Sequence, residues 1–232
     1  MNLKEGASFA SLSISLVGVT LIATILLQPR HAHTYPTYNL LVWTLFSTLC
    51  LLGASATLFP HLCGHVKSPL KELESSRISI FQGIIIVHGH HPLCGEFQGH
   101  EITINGKTFC ASCIGLLLGA FTAIFLATHH FVFRITYTIS ASLVGLGFVV
   151  LGLLYIPFLK TFSPILRSLF NWAFVMGFAL LLVGIDEIGS LEYDLIVVGM
   201  CVFWMFTRIQ MSRWDHGRVC LACGYRCDTI GV

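Results

Sequence analysis

Long apolar stretches separated by short polar connections dominate the hydrophobic pattern of this chain. A membrane-spanning α-helix needs about 20 mostly apolar residues, and six segments have this length and composition. None of the six alternates polar and apolar residues with a period of two, as transmembrane β-strands do. The pattern therefore predicts an all-α membrane protein with six transmembrane helices, over residues 9–27, 38–59, 112–128, 136–156, 168–187 and 191–209.

The composition agrees with this class and excludes two others. Of the 232 residues, 55% are hydrophobic and only 10% are charged, whereas soluble domains carry roughly 25% charged residues. Disordered chains are excluded as well, because they are polar and rich in charge. The net charge of +2 gives no indication of a nucleic-acid partner. The lipid bilayer is the partner that the composition implies.

Two apolar segments need separate treatment. The first span is longer than the roughly 7–15 residues of a signal-peptide core, and Leu27-Gln-Pro-Arg30 offers no small-residue cleavage site, so we expect a retained helix. The stretch 78–87 is too short to span a bilayer. We interpret it as a strand or buried segment outside the membrane.

Lysine and arginine residues are distributed unevenly between the two sides of the predicted bundle. With six spans, both termini lie on the same side, together with the long loop at 60–111. Eleven of the 13 Lys and Arg residues lie on that side, and only Arg30 and Arg134 lie on the other. Because positively charged segments stay inside, we expect both termini to be cytoplasmic, with the protein in the cell membrane. The predicted organisation is 1–59 (helices 1 and 2), 60–111 (cytoplasmic Cys/His loop), 112–209 (helices 3 to 6) and 210–232 (cytoplasmic Cys-rich tail).

Seven of the nine cysteines fall on the same predicted side. Cytosolic thiols stay reduced, so clustered cysteines there indicate metal ligands or redox centres rather than structural disulfides. Two pairs stand out in the loop, His91-Pro-Leu-Cys94 and Cys110-Ala-Ser-Cys113, and 15 residues separate them. This spacing matches a two-knuckle zinc pattern with one Cys replaced by His.

The residues between these pairs predict a β-hairpin. Residues 101–109 alternate apolar and polar side chains around Asn105-Gly106, the pair typical of a type I′ turn. Such a hairpin returns the chain towards the first ligand pair, giving a small zinc-ribbon-like element. The start of a helix at Cys113 favours a thiolate, which suits either metal binding or redox chemistry. We expect one tetrahedral zinc on His91, Cys94, Cys110 and Cys113, with His100 as an alternative ligand.

The C-terminal tail contains a second candidate metal site. Cys220-Leu-Ala-Cys223-Gly resembles a zinc-ribbon knuckle, in which Gly allows a sharp turn. The total is therefore one or two zinc ions; an iron–sulfur cluster is the alternative, but the histidine content favours zinc. The predicted ligands are Cys220, Cys223, Cys227 and His216, with His61, Cys63 and His65 from the start of the loop as alternatives.

Histidine and acidic residues also gather on the opposite predicted side. Ionisable residues in membrane spans usually mark function, but these lie at span ends, where solvation is easy. Two interpretations stay open: solvated loop residues, or a cation site formed by His129, His130, Asp186 and Glu187. Glu192 and Asp194 follow in the same turn region.

One stretch resembles a known family. The run His90-His91-Pro-x-Cys94, then His100, then Cys110-Ala-Ser-Cys113-Ile-Gly resembles an uncharacterised family of prokaryotic multi-pass membrane proteins, most specifically over residues 88–120. Bacterial members place Cys-His-Gln and Arg-Ser-Phe before the Cys pair, and the run found here is closer to the archaeal members. The Cys-rich tail is not part of the pattern. The resemblance implies a metal-binding membrane protein with no established activity.

The sequence leaves several functional classes open. We favour an accessory or structural subunit of a membrane complex, held by zinc and assembled with other membrane subunits or as a homo-oligomer, because closed four-ligand sites leave no position for catalysis. The alternatives are a metal-ion transporter or metal-responsive membrane protein, a thiol oxidoreductase using Cys110 and Cys113, and a metal-dependent enzyme with an open site. No H-E-x-x-H, nucleophile-elbow or phosphate-loop motif appears, so we assign no catalytic residue.

Overall fold

The computed structural model describes residues 3–29, 37–58, 78–81, 84–87, 95–158 and 163–222. Within these residues the chain forms six α-helices, one 3₁₀ helix and four short strands. The α-helices are α1 (Leu3–Ile25), α2 (Thr37–Leu58), α3 (Ala111–Phe131), α4 (Ile139–Phe158), α5 (Pro164–Asp186) and α6 (Leu191–Ala222). The other elements are β1 (Ile78–Phe81), β2 (Ile84–Val87), the 3₁₀ helix η1 (Gly95–His100), β3 (Glu101–Ile104) and β4 (Lys107–Cys110).

Five of these helices are long and apolar enough to cross a membrane, namely α1, α2, α3, α5 and α6. The protein is therefore a multi-pass helical membrane protein, as the hydrophobic pattern predicts. The described apolar stretch of α4, Ser140–Ile156, is shorter than the other five. The whole of α4 has 20 residues, which at 1.5 Å per residue gives about 30 Å, the thickness of a hydrocarbon core.

Glycine residues bring α3, α4 and α5 into close backbone contact. A side chain at Gly115 of α3 would overlap the Ser168 carbonyl oxygen of α5. Between α4 and α5, a Cβ atom at Gly145 would lie 2.9 Å from the Gly177 carbonyl oxygen, and one at Gly177 would lie 2.7 Å from the Gly145 carbonyl oxygen. Small residues permit this approach, which is how membrane helices gain packing energy where lipid gives no hydrophobic drive.

α1 packs beside α6, where Ser15 Oγ donates to Thr207 Oγ1 at 2.8 Å and Trp204 Nε1 donates to the Ser15 carbonyl oxygen at 3.1 Å.

The bundle has two ends, which we call the hairpin end and the opposite end. The hairpin end holds β4, the starts of α3 and α5, and the end of α6. The opposite end holds the ends of α3 and α5 and the start of α6.

The predicted hairpin is confirmed. β3 and β4 pair antiparallel, with Glu101 opposite Cys110 and Ile104 opposite Lys107. Asn105 and Gly106 have φ values of 50° and 76°, the two positive angles that a type I′ turn requires. The stretch 78–87 also forms strands, since β1 and β2 make a separate antiparallel pair.

Helix α6 continues well beyond the predicted end of the sixth span at residue 209 and reaches Ala222. Its buried face repeats with helical spacing at Trp204, Arg208, Met211 and Asp215. Hydropathy falls after residue 209 because most of the next nine residues are polar or charged. The first 13 residues of the predicted tail, 210–222, are therefore helical and part of the bundle.

Candidate functional site

The hairpin places the predicted thiol pair at the start of α3. Cys110 ends β4 and is the N-cap residue of α3, with φ −71° and ψ 119°, and Cys113 lies in the first turn. A side-chain hydrogen bond joins the two thiol groups, and Cys110 is only 3% exposed. His91 and Cys94 lie outside the described residues. The structure thus brings together the half of the predicted ligand set that it describes.

The start of α3 contributes an electrostatic field at this pair. The Cys110 side chain makes no capping hydrogen bond to the helix. The N–H groups of a first helical turn have no intrahelical partners and carry partial positive charge. The helix terminus therefore offsets part of the cost of placing negative charge on this buried thiol pair, which suits metal binding.

A buried polar network centred on Asp215 lies at the same end of the bundle. Arg167 Nη1 of α5 donates to Asp215 Oδ2 at 3.3 Å, and Arg218 Nη2 donates to Asp215 Oδ1 at 2.6 Å. His100 Nε2, at the end of η1, lies 3.4 Å from Asp215 Oδ2. The side chains of Asp215, Arg167 and His100 are 8–10% exposed, and that of Arg218 is 33% exposed. One carboxylate therefore joins α5, α6 and the hairpin segment.

A second part of the network links α4 to the same helices. Arg208 Nη2 donates to Asn171 Oδ1 at 2.7 Å and also to the Tyr155 hydroxyl. Asn171 Nδ2 donates to the Tyr155 hydroxyl at 2.9 Å and to the Arg167 carbonyl oxygen at 2.7 Å. These bonds satisfy polar groups buried between helices, where unpaired groups are costly.

The described part of this network carries an excess of positive charge. Arg167 and Arg218 contact the Asp215 carboxylate, and Arg208 adds a third guanidinium group through Asn171 and Tyr155. Arg208 also interacts electrostatically with Cys110. The thiol pair therefore lies near the positive charge of Arg208 as well as at the positive end of α3, with Glu101 as the cross-strand neighbour of Cys110.

Two histidines named as candidate ligands lie side by side at this end. The rings of His100 and His216 have centroids 5.8 Å apart, and both contact Phe97. The Nε2 atom of His100 faces Asp215. An alternative ligand of the first predicted site therefore neighbours a predicted ligand of the second.

The remaining predicted ligands cannot be placed. Cys223, Cys227, His61, Cys63 and His65 lie outside the described residues, and Cys220 is described only as backbone in the last turn of α6. Within the described ranges, no three His, Cys, Asp or Glu side chains are arranged to hold a metal ion.

The opposite end does not assemble the predicted cation set as a whole. His129 Nδ1 lies 2.8 Å from the Tyr137 hydroxyl, and its ring stacks on Phe125. Burial raises the pKa of Tyr137, which keeps the hydroxyl neutral. His130 instead faces Asp186, with Nε2 2.8 Å from Oδ2. His130 and Asp186 are buried rather than solvated.

An apolar cavity of about 320 Å³ lies between α2, α3, α5 and α6. Cys50 and Cys201 line it, and both are buried. Their surroundings are almost wholly aliphatic and aromatic. These two cysteines pack within the helices, away from the thiol pair of the hairpin end.

The sequence analysis does not predict the Asp215 network, although the spacing of two of its residues along the chain indicates part of it. Arg208 and Asp215 are seven residues apart, which places them on one face of a helix. A periodicity search that tolerated charged residues would have extended α6 through them. The contacts with Arg167 and His100 join residues 48 and 115 positions away from Asp215, and no local pattern announces them.

Comparisons with known proteins assign no family. No family model matches the chain, and neither the curated proteins nor the solved structures include a significant match. The function of the chain has to be inferred from its own side chains.

Proposed function

We propose that the hairpin end binds zinc and that the protein serves as an accessory or structural subunit of a membrane complex. The observation that carries the proposal is the contact between Cys110 and Cys113 at the start of α3. These two residues would supply two sulfur ligands at the junction between the hairpin and α3. His91 and Cys94 complete the proposed tetrahedral set, with His100 as the alternative ligand.

The charge of the surroundings supports a thiolate-rich metal site. Zinc bound by three thiolates and one neutral imidazole carries a net charge of −1. The network beside Cys110 has an excess of arginine over carboxylate, and Arg208 interacts with Cys110. Residues around a metal site that balance its charge and orient its ligands strengthen binding. The arginines fit that role.

A closed site here would have a structural effect. Metal coordination would tie the loop before the hairpin to the start of α3, and His100 already connects η1 to Asp215 of α6. Four protein ligands leave no open coordination position, so the expected contribution is folding energy rather than catalysis. The second proposed zinc, on Cys220, Cys223, Cys227 and His216, would extend the same structure beyond the end of α6.

The proposed orientation places the hairpin end in the cytoplasm of the cell. Eleven of 13 Lys and Arg residues lie on that side under a six-span topology, and positive charge is retained there. Thiol ligands would then face a reducing compartment, which keeps them available for metal. The proposed partners are other membrane subunits or a second copy of this chain.

Metal analysis of the purified, detergent-solubilised protein tests the proposal. We expect at least one zinc per chain in the wild type and one fewer in Cys110→Ser. Cys50→Ser is the matched control, because Cys50 is also a buried cysteine but lines the apolar cavity of the bundle. Wild-type protein without zinc after expression in zinc-containing medium, or Cys110→Ser with an unchanged count, would refute the proposal.

A thiol oxidoreductase is a second candidate, favoured by one observation. A Cys at a helix N-cap in contact with a second Cys three residues later is a geometry suited to thiol–disulfide exchange. The 3% exposure of Cys110 opposes it, because exchange needs access for the partner sulfur. Alkylation after mild oxidation separates the two: a reversible Cys110–Cys113 disulfide in the zinc-free, freshly purified protein favours the enzyme, and reduced, zinc-protected thiols favour the structural site.

A further inference from the structure

A second buried cluster of ionisable side chains lies at the opposite end of the bundle. His130 belongs to the last turn of α3, Asp186 ends α5, and Asp194 lies in the first turn of α6. Their exposures are 6%, 2% and 0%. Three helices therefore converge on groups that solvent does not reach, and the zinc proposal uses none of them.

The hydrogen bonds of His130 determine how many protons the His130–Asp186 unit holds. Its Nδ1 lies 2.9 Å from the Ile135 carbonyl oxygen, and its Nε2 lies 2.8 Å from Asp186 Oδ2. A carbonyl oxygen only accepts hydrogen bonds, so Nδ1 must carry a hydrogen. The Nε2–Oδ2 contact needs another, whichever of the two atoms holds it. The His130–Asp186 unit thus contains two protons and is electrically neutral.

Asp194 adds a requirement for a third proton. Neither of its carboxyl oxygens has a hydrogen-bond partner among the described residues, and the carboxyl group interacts electrostatically with Asp186. An ionised carboxylate buried without a donor is costly, and negative charge on Asp186 beside it adds repulsion. With a proton on Asp194 the three groups together are neutral; without it they hold one uncompensated negative charge.

The other groups facing the cluster do not remove this requirement. Tyr38 of α2 interacts electrostatically with both aspartates, and Glu187 Oε1 lies 3.9 Å from His130 Nδ1. A phenol is neutral and a carboxylate adds negative charge. A metal ion fits less well than a proton, since no three acidic, His or Cys side chains in the described ranges are arranged as ligands.

We infer that the Asp186–Asp194 pair, supported by His130, is a proton-binding site at the opposite end of the bundle. Release of the proton would leave a net charge at a position with no exposure. Proton release must therefore occur together with entry of water between the end of α5 and the start of α6. The site links proton binding to the closed packing of α3, α5 and α6.

Infrared spectroscopy of the full-length protein in lipid nanodiscs tests this inference. At neutral pH we expect a protonated-carboxyl C=O band that shifts in D₂O, is lost in Asp194→Asn and persists in Glu192→Gln. Glu192 is the matched control because it is an exposed acid in the same helical turn. Asn has the shape of Asp and is neutral like the protonated acid, so the fold should be retained.

A wild-type measurement keeps the test decisive if Asp194→Asn does not fold. The chain has only four aspartates, and Asp215 faces arginine side chains, so aspartate-specific ¹³C labelling should shift the band if it arises from the pair. Absence of the band in the wild type, its persistence in folded Asp194→Asn, or its insensitivity to aspartate labelling would overturn the inference. None of these outcomes would change the zinc count, so failure of this inference can be distinguished from failure of the zinc proposal.

Discussion

Neutralising Asp215 should destabilise the protein more than any other single change in the polar network. Asp215→Asn keeps the shape of the side chain but removes the carboxylate that faces Arg167, whose own side chain is 9% exposed. Leaving one partner of a buried ion pair without its counter-charge costs about 3–5 kcal/mol. The Arg218 arm is 33% exposed and screened by solvent, so its loss should cost less than about 1 kcal/mol.

These magnitudes translate into measurable melting temperatures. For a chain of this size about 1 kcal/mol corresponds to roughly 2–4 °C, so Asp215→Asn should melt about 6–20 °C below the wild type. Thermal loss of helical circular dichroism in detergent, recorded at one scan rate for all variants, is the assay. Arg218→Gln serves as the matched control and should shift the midpoint by less than about 4 °C.

A double variant tests the physical reason directly. Arg167→Met combined with Asp215→Leu removes both charges of the pair, so neither partner stays buried without its counter-charge, and much of the lost stability should return. The reasoning is refuted if Asp215→Asn melts with the wild type, or if Arg218→Gln costs as much as Asp215→Asn. In either case the stability of this end would not depend on the Arg167–Asp215 pair.

Three further substitutions probe the packing, the turn and an interhelical bond. Gly115→Ala should lower the melting temperature by the equivalent of about 1–3 kcal/mol, because the added methyl group overlaps a backbone carbonyl of α5. The control Gly147→Ala meets nothing within 4 Å and should be neutral or stabilising, so equal effects of the two substitutions would contradict the glycine packing. Gly106→Val should cost about 1–2 kcal/mol at φ 76° and speed hydrogen exchange of the β3 and β4 amides, and unchanged exchange would argue against the type I′ turn. Ser15→Ala removes the 2.8 Å bond to Thr207 and should cost about 0.6–1.7 kcal/mol in thermal unfolding; no loss would show that the bond contributes nothing in lipid-like surroundings.

The sequence was informative wherever the determinant was local. Asn105-Gly106 predicts its turn because the required positive φ values belong to those two residues alone. The start of α5 was misplaced by four residues, since the predicted span begins at 168 and the helix at Pro164. The apolar stretch begins after the charged residue Arg167, so hydropathy places the start at 168. The helix itself starts earlier, because Ser163 caps it by accepting from the Leu166 N–H at 3.3 Å and Pro164 occupies its first position.

The candidate site could be predicted only in part, because the sequence indicates contacts between neighbouring residues but not contacts between distant ones. The contact between Cys110 and Cys113 follows from a three-residue spacing on a helix start, so the sequence suffices. The role of Asp215 depends on residues from α5 and η1 that meet only in the folded bundle. At the opposite end, Asp186 and Asp194 could be read as solvated turn residues because they flank a short loop. Their burial results from the packing of α3 and α6 around them.

The pairing of α1 with α6 also sets a timetable for biogenesis. Ser15 finds its partner Thr207 only after 192 further residues have been made, which at about 5–20 residues per second takes roughly 10–40 seconds. During that interval the first helix resides in the membrane with the Ser15 hydroxyl lacking its Thr207 partner, and the remaining helices can assemble around α5 without it. Helix α6, which is made after the other five described helices, is thus the one that secures α1, so a chain truncated within α6 would expose α1 to quality-control proteases in the membrane.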